Sequence, residues 1–110
     1  MAVTTKVLIE AKTAEAAQTT QYTAVNCTAR IDHFTATNTS SGNATISVNL
    51  VPSGGSAGTT NLVVKTRGIA PGECYTFPEL TGATLGNGDF ISTLPSSAVL
   101  TIRANGVEIT

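Results

Sequence analysis

Residues 44–51 read Ala-Thr-Ile-Ser-Val-Asn-Leu-Val. Ile46, Val48 and Leu50 alternate with Thr45, Ser47 and Asn49. Successive side chains of a strand point to opposite faces, so this period of two describes a half-buried β-strand with one apolar and one polar side. Upstream, Thr28–Thr37 is a longer candidate strand whose alternation slips: Ile31 and Phe34 stand three apart. A β-bulge near Asp32-His33 would return both to one face. Between the two runs lies Asn-Thr-Ser-Ser-Gly-Asn, residues 38–43, a turn composition. The reading predicts that 28–37 and 44–51 form an antiparallel hairpin.

The same marks recur along the chain. Short strands are predicted at 6–11, at 20–25 with Tyr22 as its anchor, and at 61–67, 73–77 and 89–93. Residues 11–19 read as an arm or loop. Pro71-Gly72 suits the centre of a type II turn, which needs φ > 0 at its second central residue. Pro78–Gly82 is predicted as one helical turn, opened by Pro and closed by Gly. Pro52–Thr60, made of small residues, is predicted to be a flexible loop. Near the end, Ala98–Ala104 alternates, and Asn105-Gly106 precedes Val107–Thr110. Asn-Gly between two such runs predicts a type I′ hairpin. Eight or so short strands, spaced about ten residues apart, indicate an all-β antiparallel two-sheet sandwich, jelly-roll-like. Residues 1–20 are expected to be an N-terminal arm or first edge strand, and 21–110 the sandwich domain.

Composition narrows the function. The chain has 110 residues and a formal net charge of −1. A single domain of this size buries roughly two-thirds of its unfolded surface, enough for a core without metal or staples. Only 12% of its residues are charged, against about 25% in an ordinary soluble domain. Twenty threonines fill the polar positions instead. Thr is β-branched and keeps a hydroxyl for water, which suits a polar but uncharged sheet face. The six Lys and Arg are scattered, so neither nucleic acid nor an anionic membrane surface is the expected partner. No apolar run approaches a secretory h-region or a membrane span, and synthesis and folding in a cytoplasm are expected. Cys27 and Cys74 show no metal-ligand spacing and read as two small buried residues; a disulfide between them is an open alternative, which folding in a reducing compartment argues against.

Catalytic patterns are weak. His33 is the single histidine and neighbours Asp32, but adjacent strand residues face opposite ways and no Gly-x-Ser-x-Gly elbow is present. The seven acids are spread along the chain, against a paired-carboxylate hydrolase. Gly54-Gly55-Ser-Ala-Gly58 lacks the Lys and Ser/Thr of a phosphate loop, and Asp89 lacks the second Asp of a calcium loop. No enzyme, metal or cofactor is expected.

Several phrases from residue 30 onward resemble short phage and prophage virion proteins: Asp32-His-Phe-Thr-Ala-Thr-Asn38, Asn49-Leu-Val-Pro-Ser-Gly-Gly-Ser56, Asn61-Leu-Val-Val-Lys65, Ile69-Ala-Pro-Gly-Glu73 and Leu100-Thr-Ile-Arg103. In size and strand layout the chain is similar to the jelly-roll cement, or decoration, proteins of tailed-phage heads. The resemblance implies a non-enzymatic virion protein that binds the outer capsid surface, staples neighbouring major capsid subunits and forms a homodimer or other homo-oligomer. Candidate contacts are Val7, Leu8 and Ile9, which could pair with a neighbour's edge or simply be the first strand of the sandwich. The others are Ser53, Gly54, Gly55 and Ser56 in the loop. The alternative is a receptor- or glycan-binding module of a tail fibre or spike, which would present an exposed aromatic platform.

Overall fold

The computed structural model describes residues 2–110. Nine strands are present among them: β1 (Val3–Thr13), β2 (Thr19–Thr23), β3 (Thr28–Asn38), β4 (Ala44–Val51), β5 (Leu62–Ile69), β6 (Cys74–Thr76), β7 (Thr84–Leu85), β8 (Phe90–Pro95) and β9 (Leu100–Ile109). One sheet has the order β1-β9-β3-β6, with β7 also paired to β3; the other runs β2-β8-β4-β5. Every pairing is antiparallel. With the two-residue β7 set aside, this is jelly-roll order, in which each connection but β4–β5 carries the chain to the opposite sheet.

That topology overturns the predicted hairpin. β3 and β4 lie in different sheets and face one another across the core. The alternation in both runs is real, since Ile31, Phe34 and Ala36 are buried on one side and Ile46 and Val48 on the other. Alternation says which side of a strand is buried and nothing about which strand lies beside it. The turn decides the partner. Asn38, fully buried, donates from Nδ2 to the carbonyls of Gly42 (2.8 Å) and Ile69 (2.9 Å). Its Oδ1 accepts from the backbone N–H (2.9 Å) and hydroxyl (2.7 Å) of Ser40. These four bonds exhaust the amide and turn the chain through a corner between sheets.

The bulge in β3 is where the alternation places it: the register against β9 slips between Ile31 and His33, and Ile31 and Phe34 are both fully buried. The slip explains a second correction. Asn105-Gly106 forms no hairpin; β9 runs straight through it, and Val107–Ile109 continue the pairing with β1 and β3. Gly106 is required there for space. A Cβ at that position would stand 1.9 Å from the Arg30 carbonyl oxygen and 3.2 Å from the Asp32 nitrogen, both belonging to the bulged backbone. A glycine in a strand interior marks such a close approach.

Two smaller expectations also change. Pro78–Gly82 forms consecutive turns, with Leu80 N–H bonded to Phe77 O (3.2 Å) and Ala83 N–H to Leu80 O (3.1 Å), and no helix. Leu80 and Phe77 are both fully buried there. Cys27 is buried as expected but Cys74 is exposed; both thiols are free. The Pro71-Gly72 turn is observed, with Glu73 N–H on Ala70 O (3.0 Å) and Gly72 at φ +76°.

The core is aliphatic around one aromatic group. The Phe34 and Phe77 rings meet edge-on at 5.3 Å, and Tyr75 meets Phe77 at 4.9 Å. Such contacts contribute about 0.5–1.5 kcal/mol each beyond burial. No side-chain polar atom buried among the described residues lacks a hydrogen-bond partner.

Gly106→Ala is expected to destabilise the fold by about 3 kcal/mol, because the clash is with backbone that no rotamer change relieves. Urea unfolding measures this. A loss under about 0.5 kcal/mol, the ordinary range for a surface substitution, would show that β3 yields freely at its bulge.

Candidate functional site

Three surfaces offer contacts. The first is the loop between β4 and β5, which ends in a single 3-10 turn at Thr59–Asn61. Its small residues predicted flexibility, yet it is tied down by side chains from outside and within. Asn49, 3% exposed, donates from Nδ2 to Gly58 O (3.0 Å) and Asn61 Oδ1 (2.7 Å). Asn61 accepts from Gly58 N–H (3.1 Å) and donates to Ser56 O (3.0 Å). Asp89 Oδ1 accepts from Ser53 N–H (2.9 Å), while its Oδ2 accepts from Gly86 N–H (2.8 Å). Ser53 and Gly54 form the centre of a tight turn closed by Gly55 N–H on Pro52 O (2.9 Å), with Gly54 at φ +80°. Ser53, Gly54, Gly55 and Ser56 are thus exposed and held in place.

Beside this loop, the outer face of the β2-β8-β4-β5 sheet carries a depression of about 250 Å³. Leu62, Leu94, Asn49, Lys65, Thr66 and the loop at Ala57–Thr59 line it. Leu94 is 40% exposed. Thr66 stands at φ +45°, a region that β-branched residues rarely enter. The cause is a bulge in β5: Ile46 pairs with Arg67 and Val48 with Val64, leaving Lys65 and Thr66 against Ser47. The Ser47 hydroxyl accepts the displaced Thr66 N–H at 2.9 Å. The Ser47 position is readable as polar and outward, but nothing in the local pattern announces the bulge.

The second surface is the outer face of the β1-β9-β3-β6 sheet. Register places Thr13, Thr101, Thr37 and Cys74 in one row across four strands, and Arg103, Thr35 and Thr76 in the next. A polar groove of about 320 Å³ follows, between Thr5 and Val7 on β1, Arg103 and Asn105 on β9, and Asp32 at the bulge. Asp32 is ion-paired with Arg30 at 3.0 Å. His33 is exposed and pairs in register with Asn105. No hydrogen bond joins it to a serine among the described residues.

The third surface is the edge of that sheet. Val7, Leu8 and Ile9 lie within β1, paired to β9 of the same chain. Leu8 and Ile9 are 6% and 2% exposed and belong to the core; Val7 is half-buried. Towards the start of the strand, Val3–Lys6 are exposed, Val3 at 60%.

The ionisable groups with perturbed equilibria are structural ties. Tyr22, from the second sheet, donates its hydroxyl to Glu108 on β9, and Lys6 on β1 reaches the same carboxylate at 3.3 Å. The Tyr22 bond, then Lys6, hold the Glu108 carboxyl below its usual range. Burial, then the Glu108 carboxylate, push the Tyr22 hydroxyl upward. Hydrogen bonds from Gln21 and Lys12 bring exposed Glu15 down to about 2. Among the described residues no three His, Cys, Asp or Glu side chains gather as a metal site, and no helix is long and apolar enough to cross a membrane.

No protein-family model, no curated protein and no solved structure matches the chain.

Two measurements follow from these ties. Asn49→Ala should cost about 1–3 kcal/mol, since it removes a buried amide that makes two hydrogen bonds, to Gly58 O and Asn61 Oδ1. It should also open 52–60 to limited proteolysis; an unchanged cleavage pattern would mean the loop is held without Asn49. Glu108 has a depressed folded-state pKa, so its contribution is present above the unfolded value and lost as pH falls through the folded one. Tyr22→Phe should therefore flatten the acid limb of the stability profile below about pH 4.5, read as thermal midpoints from pH 7 to pH 2. Parallel profiles for the two proteins would remove Tyr22 as the source of the shift.

Proposed function

We propose that this chain is a non-enzymatic structural protein of a tailed-phage particle. It binds the outer capsid surface and staples neighbouring major capsid subunits, acting as a homo-oligomer. The observation that carries the reading is the pairing of jelly-roll topology with two broad, weakly charged sheet faces. The threonine rows offer hydroxyls to a protein surface without the cost of dehydrating ions, which is large for buried charges. The resemblance of the β-turn-β phrases from residue 30 onward supports the same reading.

The charged groups are largely used within the molecule. Lys6–Glu108, Lys12–Glu15 and Arg30–Asp32 are ion pairs, Asp89 and Glu73 cap turns, and Arg67 lies 4.0 Å over the Tyr75 ring. A surface with its charges satisfied internally meets a partner through shape and hydrogen bonding, and many copies of a modest interface add up by avidity. The alternative of a glycan-binding tail module has less support. Tyr22, Tyr75 and Phe90 are half-buried, Phe34 and Phe77 are fully covered, and the Tyr75 face carries Arg67.

A cryo-electron reconstruction of the particle that carries the protein tests this. Density on the outer shell bridging capsomers is expected. Density confined to a tail or fibre would overturn the placement in favour of the alternative.

A further inference from the structure

The ladder between β1 and β9 determines which backbone groups of β1 remain unused. Ala2 and Thr110 exchange both hydrogen bonds, N–H to O at 3.0 Å one way and 2.9 Å the other. From there the register runs unbroken from Val3↔Ile109 to Val7↔Asn105. In an antiparallel ladder the bonded pairs alternate. Thr4 and Lys6 therefore direct their N–H and C=O groups to β9. Val3, Thr5 and Val7 direct theirs to the open side. β1 ends the sheet order, so nothing among the described residues pairs with that side.

We propose that Val3–Val7 pairs antiparallel with the same segment of a second copy, about a two-fold axis through Thr5. The inference names the partner for the homo-oligomer of the functional reading, and rests on that reading for its purpose but not for its geometry. A two-fold axis through an antiparallel strand requires the central residue to pair with itself, and Thr5 faces the open side with both backbone groups free. Val3 then meets the second copy's Val7, whose groups also face outward. All three outward pairs bond, two hydrogen bonds each, and none needs a group already used by β9.

The side chains suit the same register. Val3, Thr5 and Val7 share the outer face, so the largest exposed apolar residue of β1 covers Val7 of the other copy. On the opposite face Lys6 meets the second copy's Thr4, which stands in register with that copy's Glu108. Opposite charges thus fall in one row with a threonine between them, and each Lys6 arrives already bound to its own Glu108. The pairing also has a natural limit: the β1 register against β9 slips between Val7 and Ile9, so the alternation of outward backbone groups is interrupted there. The remaining edges are guarded as soluble proteins guard them. β5 carries Lys65, Arg67 and the Thr66 bulge; β2 is five residues with a bulge, and β6 is three residues long.

The test is sedimentation velocity of the full chain over a concentration series, with amide hydrogen exchange read at the same concentrations. The native protein should rise from its 11.2 kDa monomer towards twice that mass, with the Val3, Thr5 and Val7 amides slowing in step. Thr5→Pro removes only an N–H that faces the open side and should abolish the dimer. Val3→Lys with Val7→Lys, both on the surface of β1, should do the same by charge repulsion and keeps the test valid if proline disturbs the strand. A native chain that stays monomeric up to millimolar concentration overturns the proposal, as does a dimer that survives both variants. Binding of each protein to purified shells separates the two readings. A monomer that still decorates shells removes only the β1 pairing, and a dimer that never binds them removes only the capsid role.

Discussion

The first sheet closes on a backbone contact. The Arg30 carbonyl occupies the space where a side chain at residue 106 would begin, and only glycine permits it. That approach lets β3 carry an extra residue at Asp32 and still pair with β9 on both sides of the slip. Without the bulge, Ile31 and Phe34 would point to opposite faces, and one of the largest core side chains would be turned into water. The position of β9 between β1 and β3, and with it the edge that β1 presents, follows from the same contact.

Strand identity was legible because period-two alternation is local. Ile46, Val48, Ile31 and Phe34 all lie where their pattern puts them, and even the bulge was visible as a three-residue step. Strand pairing was not legible, because it depends on turns whose geometry is set by distant partners. Asn38 reads as an ordinary turn residue, yet its amide reaches Ile69, thirty-one positions away, and that reach sends β4 to the other sheet. Asn105-Gly106 carries a strong local hairpin signal that a non-local constraint overrides, since the space beside Arg30 demands glycine for a different reason.

The candidate surfaces divide the same way. The exposure of residues 53–56 was legible from small, polar composition, and their order was not, because the clamp comes from Asn49, Asn61 and Asp89. The stretch Val7–Ile9 reads equally as a segment pairing with a neighbour's edge and as the first strand of the sandwich, and its apolar character buries Leu8 and Ile9 in this chain's own core. The accessible edge begins before it and ends on its first residue, in the duller run Val3–Val7. Apolar content points to the core, whereas an edge available to a partner is marked by unused backbone groups, which no composition records.

The two Asn-Gly steps in this chain stand in contrasting surroundings, and the contrast bears on how the molecule ages. Asparagine deamidates when the following backbone nitrogen attacks the side-chain carbonyl, and a following glycine makes that approach easiest. At Asn105 the nitrogen of Gly106 is locked into an extended ladder between β1 and β3, far from the folded-back geometry the attack requires. Asn87 sits in an exposed turn before Gly88 at φ +88°, where the chain is already bent. Chemical wear should therefore concentrate at Asn87, whose side-chain oxygen accepts the Asn26 N–H at 2.8 Å. Rearrangement there would loosen the link between the β2–β3 and β7–β8 turns while leaving the closely packed sheet untouched, so the lifetime of the fold would be set at one end of the sandwich.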